Sequence, residues 1–198
     1  MIYYGYKYSC EVLIMELDKY IEKVLVSQEE IASVTKSLGK KLTEDYKGKK
    51  PLVVGLLKGC IPFMSDLIKH IDTNIELDFM DVSSYYGGIE STADVRIVKD
   101  LSVTVKDRHV LIAEDIVDSG RTLNAVIKLL EYRGAKDVKV VTLLNKPEGR
   151  LIEYVPEYIG VSIPKLFVVG YGLDYKEQLR NLPYVGVLKP EIYKNTLD

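Results

Sequence analysis

Residues 110–123 read VLIAEDIVDSGRTL, a stretch that passes from an apolar run to acidic residues and then to a loop of small residues. The apolar run 110–113 has no polar alternation, which is typical of a strand covered on both faces of a parallel sheet. Glu114 and Asp115 are therefore expected at the carboxyl end of this strand. Open α/β sheets bind ligands at that edge, so the stretch predicts an α/β fold with a ligand site here.

The loop after the acids has the composition of an anion-binding site. Apolar residues recur at helical spacing after it, and Gly134 is the expected end of that helix. Residues 118–122 then lie at a helix amino terminus, where unpaired N–H groups and the helix dipole favour an anion. Gly120 allows the backbone to approach a ligand closely, and Ser119 and Thr122 supply hydroxyl groups. The loop is therefore predicted to hold a phosphate.

Two acids beside a phosphate site need partners of their own, because carboxylates repel phosphate. Ribose hydroxyls and a hard divalent cation such as Mg²⁺ both suit Glu114 and Asp115. The loop matches neither GxxxxGK[ST] nor GxGxxG, and both patterns are absent from the chain. The alternative interpretation is an ordinary strand-to-helix turn with an aspartate near the helix cap.

Strand and helix patterns alternate along the rest of the chain, which favours a parallel sheet with right-handed crossovers. Ser27 and Glu30 form a capping-box pattern at the start of a helix that is expected to run to about Tyr46. The other expected elements are a helix at 62–71, strands at 52–56, 75–82, 138–144 and 166–169, a loop at 83–91 and a hairpin-like alternation at 95–105.

The composition is that of one domain with a sizeable core, since 47% of the 198 residues are hydrophobic. The formal net charge of -2 gives no indication of a nucleic-acid surface. Cys10 and Cys60 have neither metal-ligand nor disulfide spacing, which predicts two reduced thiols in a cytoplasmic protein. The early apolar run at 12–15 is too short for a signal-peptide core or a membrane span, so no membrane contact is expected.

Four stretches carry a resemblance to a known family. Residues 114–122, EDIVDSGRT, resemble the phosphoribosyl-pyrophosphate (PRPP) loop of the type I phosphoribosyltransferases. NKPEGR at 145–150, FVVGYGLDY at 167–175 and RNLPYVGVL at 180–188 are similar to the purine-salvage branch of that family, the bacterial-type hypoxanthine-guanine enzymes.

The resemblance runs from about residue 15 to residue 193 and implies a single α/β domain over 15–198. That domain has a central parallel twisted sheet flanked by helices, plus a small hood formed by the terminal segments. Residues 1–14 have no counterpart in the resemblance and are an extension of unknown role.

The resemblance also implies which residues bind PRPP. Those implied for the ribose phosphate are Glu114, Asp115, Ser119, Gly120, Arg121 and Thr122. Those implied for the pyrophosphate are Lys58, Gly59 and Arg180, with a non-proline cis peptide before Lys58. Ser84 and Tyr85 are implied as a lid over the pyrophosphate, and the alternative for their loop is a disordered hairpin connection. Mg²⁺ is implied as the cofactor, with Glu114, Asp115 and Asp174 as its residues.

The base pocket is implied in the same way. Lys146 would donate to O6 of a 6-oxopurine, Phe167 would stack on the base, and the main chain of Val168 would contact its far edge. Asp174 belongs to the same pocket and reaches the metal through water, while Asp118 is the general base that accepts the proton of N7. Taken singly, Lys146 also fits a solvated lysine, Phe167 a core residue, and Asp174 and Arg180 surface charges.

The implied reaction is Mg²⁺-dependent transfer of the 5-phosphoribosyl group from PRPP to N9 of hypoxanthine or guanine, which gives IMP or GMP and pyrophosphate. The implied assembly is a homodimer or homotetramer, with neither nucleic acid nor membrane as a partner.

Two alternatives remain. A PRPP-sensing regulator of RNA or DNA keeps the loop and loses other parts of the site, whereas this chain keeps Asp118, Lys146 and Arg180. A xanthine or pyrimidine phosphoribosyltransferase shares the reaction but not the base pocket. Asn145, where many bacterial relatives have Asp, and Gly149, where a bulkier or basic residue is expected, depart from the family pattern.

Overall fold

The computed structural model describes residues 16–84 and 95–194. The strands in chain order are β1 (Ile21–Val26), β2 (Leu52–Leu57), β3 (Glu76–Ser84), β4 (Val95–Lys99), β5 (His109–Val117), β6 (Asp137–Asn145), β7 (Tyr158–Ser162), β8 (Val168–Val169) and β9 (Val185–Leu188). The α-helices are α1 (Gln28–Asp45), α2 (Cys60–Ile68), α3 (Arg121–Tyr132) and α4 (Pro190–Lys194), and short 3-10 helices span Glu16–Tyr20 and Pro147–Gly149.

The main sheet has six strands in the order β4-β3-β2-β5-β6-β7. Its pairings are parallel except at the β4 edge, where β4 runs antiparallel to β3. The predicted central parallel sheet is therefore confirmed, with one antiparallel edge strand. Because parallel strands present their carboxyl ends at the same edge, the segments that follow β2, β5 and β6 lie close together.

Helices cover both faces of this sheet, so successive residues of the central strands pack against different helices. Val53 and Leu111 belong to the core formed with α1 and α2, whereas Val54 and Ile112 belong to the core formed with α3. This double burial is the reason that β2 and β5 are continuous apolar runs rather than alternating patterns. The predicted start of this helix at Ser27 is confirmed, since Ser27 Oγ accepts from the N–H of Glu30 at 3.2 Å, which is the serine half of a capping box.

The boundary predicted for β5 was wrong by several residues. The strand does not end before Glu114 but continues to Val117, because it stays paired with β6 as far as the Val117–Asn145 register pair. Glu114 and Asp115 consequently lie in the last part of the strand, still near the edge where the ligand site was predicted.

A second, three-stranded antiparallel sheet has the order β1-β9-β8 and joins the two ends of the described chain. It corresponds to the predicted hood of terminal segments. The strand expected at 166–169 is present only as β8, and it belongs to this small sheet rather than to the parallel sheet. The next parallel position is taken by β7, which the sequence analysis missed.

The hairpin-like alternation expected at 95–105 forms only one strand, β4. The chain after β4 is held by a buried carboxylate instead of by strand pairing, because Asp78 Oδ2 accepts from the N–H of Ser102 at 2.6 Å.

Some of the predicted features lie outside the described residues, namely residues 1–14 with Cys10, Tyr85 and most of the 83–91 loop. Cys60 is a free, buried thiol, and no helix in the described ranges is long and apolar enough to cross a membrane.

Candidate active site

The small-residue loop begins where β5 ends and leads into α3. Gly120 adopts a left-handed conformation with φ of 78°, and its carbonyl accepts from the N–H of Asn124 at 2.9 Å in the first turn of the helix. An added Cβ at Gly120 would meet nothing closer than 3.6 Å, so its backbone conformation is what favours glycine here. The predicted position of residues 118–122 at a helix amino terminus is confirmed.

The segment that follows β2 contacts the acids of β5. The peptide between Leu57 and Lys58 is cis, as the resemblance implied. Gly59 packs so closely on the carboxylate of Asp115 that an added Cβ would lie 1.8 Å from Asp115 Oδ2. A residue with a side chain therefore does not fit at Gly59 unless the acid moves, and the cationic loop and the acids form one site.

Glu114 and Asp115 are held in an environment that disfavours their charged forms. Burial raises the pKa of Asp115 to about 6, although the N–H of Ile116 and the charge of Arg180 oppose this shift. Burial and the neighbouring charge of Asp115 together raise the pKa of Glu114 well above its ordinary value. A cation bound beside them would favour the charged forms of both acids and lower their pKa values.

The two acids do not form a complete metal site by themselves. In the ranges 16–84 and 95–194, no three acidic, histidine or cysteine side chains are grouped closely enough to hold a metal ion. Mg²⁺ commonly binds through one or two carboxylates and takes its other ligands from water and substrate phosphates. Glu114 and Asp115 fit that incomplete type of site.

Four charged side chains form a network at the same edge. Lys58 Nζ lies 2.9 Å from Glu177 Oε2, and Arg180 Nη2 lies 3.2 Å from Glu177 Oε1. Arg180 Nη2 also lies 2.8 Å from Asp174 Oδ1, and Asp174 Oδ2 accepts from the N–H of Glu177. The structure thus brings Lys58 and Arg180, both predicted for the pyrophosphate, together with Asp174, which was predicted for the base pocket and the metal. Glu177 was not predicted from the sequence, although its position in DYKEQLR is three residues from both Asp174 and Arg180.

Lys146 and Asp118 form an ion pair, with Nζ of Lys146 2.7 Å from Asp118 Oδ2. The lysine side chain is only 12% exposed, whereas that of Asp118 is 46% exposed. Gly149 lies directly against the carboxylate of this pair, since an added Cβ would lie 1.9 Å from Asp118 Oδ1. The unexpected glycine at this position is therefore explained by the close approach of the carboxylate.

Arg150 is a further residue that the sequence analysis missed. Its guanidinium donates to the carbonyl oxygens of Val117 and Asp118 and to Asn145 Oδ1. Burial lowers its pKa, and the charge of Asp118 opposes that shift. No local pattern in NKPEGR indicated these contacts, because they join β5 and β6.

The predicted base-stacking residue, Phe167, is 39% exposed and lies beside β8. The ring of Tyr193 from α4 stacks on it, with centroids 5.0 Å apart and planes at 18°, and Tyr175 meets it edge-on at 5.7 Å. Val168 follows in β8, and its backbone pairs with Val187 of β9. Of the predicted lid, Ser84 ends β3 and Tyr85 lies outside the described residues.

Comparisons with known proteins agree on one family. The family described as "Phosphoribosyl transferase domain" matches residues 23–176. A hypoxanthine-guanine phosphoribosyltransferase of Lactococcus lactis subsp. lactis is 60% identical over 177 residues, which cover 89% of this chain and 96% of that protein. The crystal structure of a hypoxanthine phosphoribosyltransferase from Staphylococcus aureus has a TM-score of 0.88 at 50% identity, covering 91% of this chain and 98% of that one.

One relative is much longer. The bifunctional protein TilS/HprT of Listeria monocytogenes serotype 4b is 57% identical over 173 residues, which cover 87% of this chain but only 27% of that protein. This chain therefore spans about a quarter of that relative.

Proposed function

The chain belongs to the phosphoribosyl transferase family, and from this premise we propose that it is a purine-salvage enzyme. It transfers the 5-phosphoribosyl group of PRPP to N9 of hypoxanthine or guanine and releases pyrophosphate. The products are IMP and GMP. We also propose that it works as a homodimer or homotetramer, on small-molecule substrates.

The observation that carries this proposal is the ion pair of Lys146 and Asp118, whose side-chain atoms lie 2.7 Å apart. A 6-oxopurine presents its O6 and N7 atoms next to each other on one edge. A donor for O6 beside an acceptor for the N7 proton matches that edge, so one purine can take up both side chains. Uracil has no N7 and does not satisfy both groups.

In the proposed reaction, N9 of the purine attacks C1 of the ribose, the bond from C1 to the pyrophosphate oxygen breaks, and the pyrophosphate leaves with the electron pair. Asp118 accepts the proton from N7, which prevents positive charge from remaining on the product base. Lys146 donates a hydrogen bond to O6 and stabilises the ring as it loses that proton. General base assistance of this kind contributes about 100-fold to 10,000-fold.

Binding of PRPP is proposed to divide among three segments. Residues 118–122 hold the 5′-phosphate at the amino terminus of α3, and Glu114 and Asp115 accept hydrogen bonds from the ribose hydroxyls. Lys58, Gly59 and Arg180 hold the pyrophosphate, where preorganised positive charge stabilises the leaving group. Glu114 and Asp115, with Asp174 through water, would hold Mg²⁺, which when bound neutralises charge on the substrate oxygens.

A substrate assay tests the proposal directly. Purified protein is given PRPP and Mg²⁺ with hypoxanthine, guanine, xanthine or uracil, and nucleotide formation is followed by absorbance. Hypoxanthine and guanine are expected to be converted and uracil is expected to be inert. Turnover of uracil without turnover of either purine would contradict the proposed base pocket, and PRPP binding without any turnover would favour a regulator.

The role of Asp118 is tested with Asp118→Asn, which keeps the size of the side chain but removes the base. The turnover number is expected to fall by about 100-fold or more, with a smaller change in the KM for PRPP. The combination of Glu114→Gln and Asp115→Asn is the contrast, because it is expected to weaken binding of PRPP and Mg²⁺ instead. Unchanged turnover in Asp118→Asn would remove this residue from the mechanism.

A further inference from the structure

The segment 145–154 lies behind the loop that is proposed to hold the 5′-phosphate, and it contacts that loop through backbone carbonyl groups. Three consecutive carbonyl oxygens accept hydrogen bonds from it, those of Val117, Asp118 and Ser119. Nη1 of Arg150 donates to the first two. The N–H groups of Leu151 and Ile152 donate to the third, at 3.0 Å and 3.3 Å.

This arrangement determines where the N–H groups of the loop point. In a trans peptide the C=O bond and the following N–H bond point in opposite directions. The cis peptide found in the described ranges precedes Lys58, so the peptides of this loop are trans. With the carbonyls of residues 117–119 turned towards the segment 145–154, the N–H groups of residues 118–120 point to the opposite side. Successive N–H groups that share one side form a concave site for an anion.

The guanidinium of Arg150 makes four hydrogen bonds, and all of them go to this segment or to the backbone of the loop rather than to the proposed phosphate site. Nε donates to the carbonyl of Tyr154 at 3.2 Å, and Nη2 donates to Asn145 Oδ1. All four of its acceptors are therefore neutral oxygens. Such a set needs the planar fork of an arginine, because a lysine ammonium cannot reach four acceptors in these directions.

We propose that Arg150 is a positioning residue for the 5′-phosphate, because it holds the carbonyls of Val117 and Asp118 and so directs the loop N–H groups at the anion. The inference rests on the proposed function, since it assumes that this loop receives the phosphate of PRPP. Arg150 does not contact the substrate itself. Its positive charge also polarises the peptide groups that it binds, which strengthens their N–H groups as donors.

Two variants separate the contribution of the planar guanidinium of Arg150, called the fork here, from the contribution of its positive charge. Arg150→Lys keeps the charge and loses the fork. Asn145→Asp keeps the fork and gives it a carboxylate partner, and the hydroxyl of Ser162, now 3.2 Å from Asn145 Nδ2, can donate to the new acid. Arg133→Lys is the matched control, because Arg133 makes a bidentate contact with Asp100 away from this site.

The measurements are the dissociation constant of ribose 5-phosphate by calorimetry, the KM for PRPP, the turnover number and the melting temperature. Arg150→Lys is expected to raise the dissociation constant and the KM for PRPP by about tenfold, with a turnover number within about threefold of wild type, because the Lys146–Asp118 pair remains. Asn145→Asp and Arg133→Lys are expected to leave both binding constants within about twofold of wild type.

Three results would overturn the inference. Arg150→Lys could bind ribose 5-phosphate as wild type does. Asn145→Asp, which keeps the fork, could weaken binding as much as Arg150→Lys, which would show that the fork does not determine binding. Arg150→Lys could lose its cooperative melting transition, which would assign Arg150 to the fold as a whole. Failure of the proposed function is recognised separately, because the wild-type protein would then form no nucleotide, whether or not it binds ribose 5-phosphate.

Discussion

Two ion pairs occupy the positions at which the substrates are proposed to bind. Lys146 contacts Asp118, and Lys58 contacts Glu177. A purine that binds Lys146 and Asp118 has to separate them or insert its edge beside them. Pyrophosphate has to compete with the carboxylate of Glu177 for Lys58 and Arg180. At the scale of single residues, these pairs hold the charged groups in place before the substrate replaces part of each contact.

Replacement of Glu177 by Gln tests this competition. The hydrogen bond from Lys58, together with that from Arg180, lowers the pKa of Glu177, so it is an anion throughout the neutral pH range. Glu177→Gln removes the competing charge and is expected to lower the inhibition constant of pyrophosphate by about threefold. Steady-state kinetics with PRPP as the varied substrate and pyrophosphate as the inhibitor measures this constant.

Glu76→Gln is the matched control, because Glu76 also lies between a lysine and an arginine, Lys50 and Arg108, but in a different part of the molecule. The inhibition constant of pyrophosphate for Glu76→Gln is expected to remain that of wild type. A higher inhibition constant in Glu177→Gln would mean that Glu177 positions the cations rather than competing for them.

At the scale of elements, the short helix α4 contacts the proposed base pocket through the ring of Tyr193. Tyr193 stacks on Phe167, and aromatic pairs of this kind contribute about 0.5–1.5 kcal/mol beyond the area that they bury. Tyr193→Leu is expected to raise the KM for hypoxanthine by about threefold and to leave the KM for PRPP unchanged, because Phe167 loses one of the two rings that contact it.

Steady-state kinetics with each substrate measures this effect. Tyr132→Leu is the control, since Tyr132 is 90% exposed on α3. A lower KM for hypoxanthine in Tyr193→Leu would contradict the supporting role and indicate that Tyr193 competes with the purine for Phe167.

The antiparallel edge of the main sheet depends on the buried carboxylate of Asp78. Burial raises its pKa, but the N–H groups of Phe79 and Ser102 and the charge of Lys99 outweigh burial and lower the pKa below its ordinary value. Asp78 therefore stabilises the fold above the pKa of the unfolded chain, and this contribution is lost as the pH falls through the lower, folded pKa.

Asp78→Asn is expected to lower the free energy of unfolding at pH 7 by about 1–3 kcal/mol, because one amide cannot accept from both N–H groups. The difference from wild type is expected to shrink as the pH approaches that of acid unfolding. Denaturant unfolding at several pH values measures it. Asp107→Asn, at an exposed residue with a positive φ that Asn also tolerates, should have no such effect. A difference that grows towards low pH would contradict the assignment.

At the scale of the whole molecule, the described residues 16–84 and 95–194 contain both sheets, the helices on the two faces of the main sheet and every described part of the proposed site. A variant without residues 1–14 is therefore expected to match the full chain in melting temperature and in turnover of the better purine. Light scattering measures the assembly state of both proteins. This matters because residues 1–14 contain four tyrosines and aromatic residues are enriched at subunit interfaces. A changed assembly state or a sharp loss of activity would place this segment at an interface.

Local signals in the sequence were enough to predict the elements on both sides of the loop that is proposed to bind PRPP. The apolar run before Glu114, the glycine at 120 and the helical spacing after it act over a few residues, and so does the hydrogen bond that the N–H of Glu30 donates to Ser27 Oγ. The resemblance added roles that composition and spacing do not determine. Tertiary structure alone decided that β7 completes the parallel sheet while β8 joins the hood, because short apolar strands do not reveal their neighbours.

Side-chain partnerships across the site also depended on tertiary structure. Lys58 and Glu177 are 119 positions apart, and Arg150 joins β5 to β6 through the backbone carbonyl of Val117 and the side-chain oxygen of Asn145. The sequence by itself determined which chemical groups reach the carboxyl edge of the sheet, because strand and loop patterns are local. Only the fold decided which of those groups contact each other, since a contact between distant residues depends on how the strands are ordered and how closely the glycines let the chain approach.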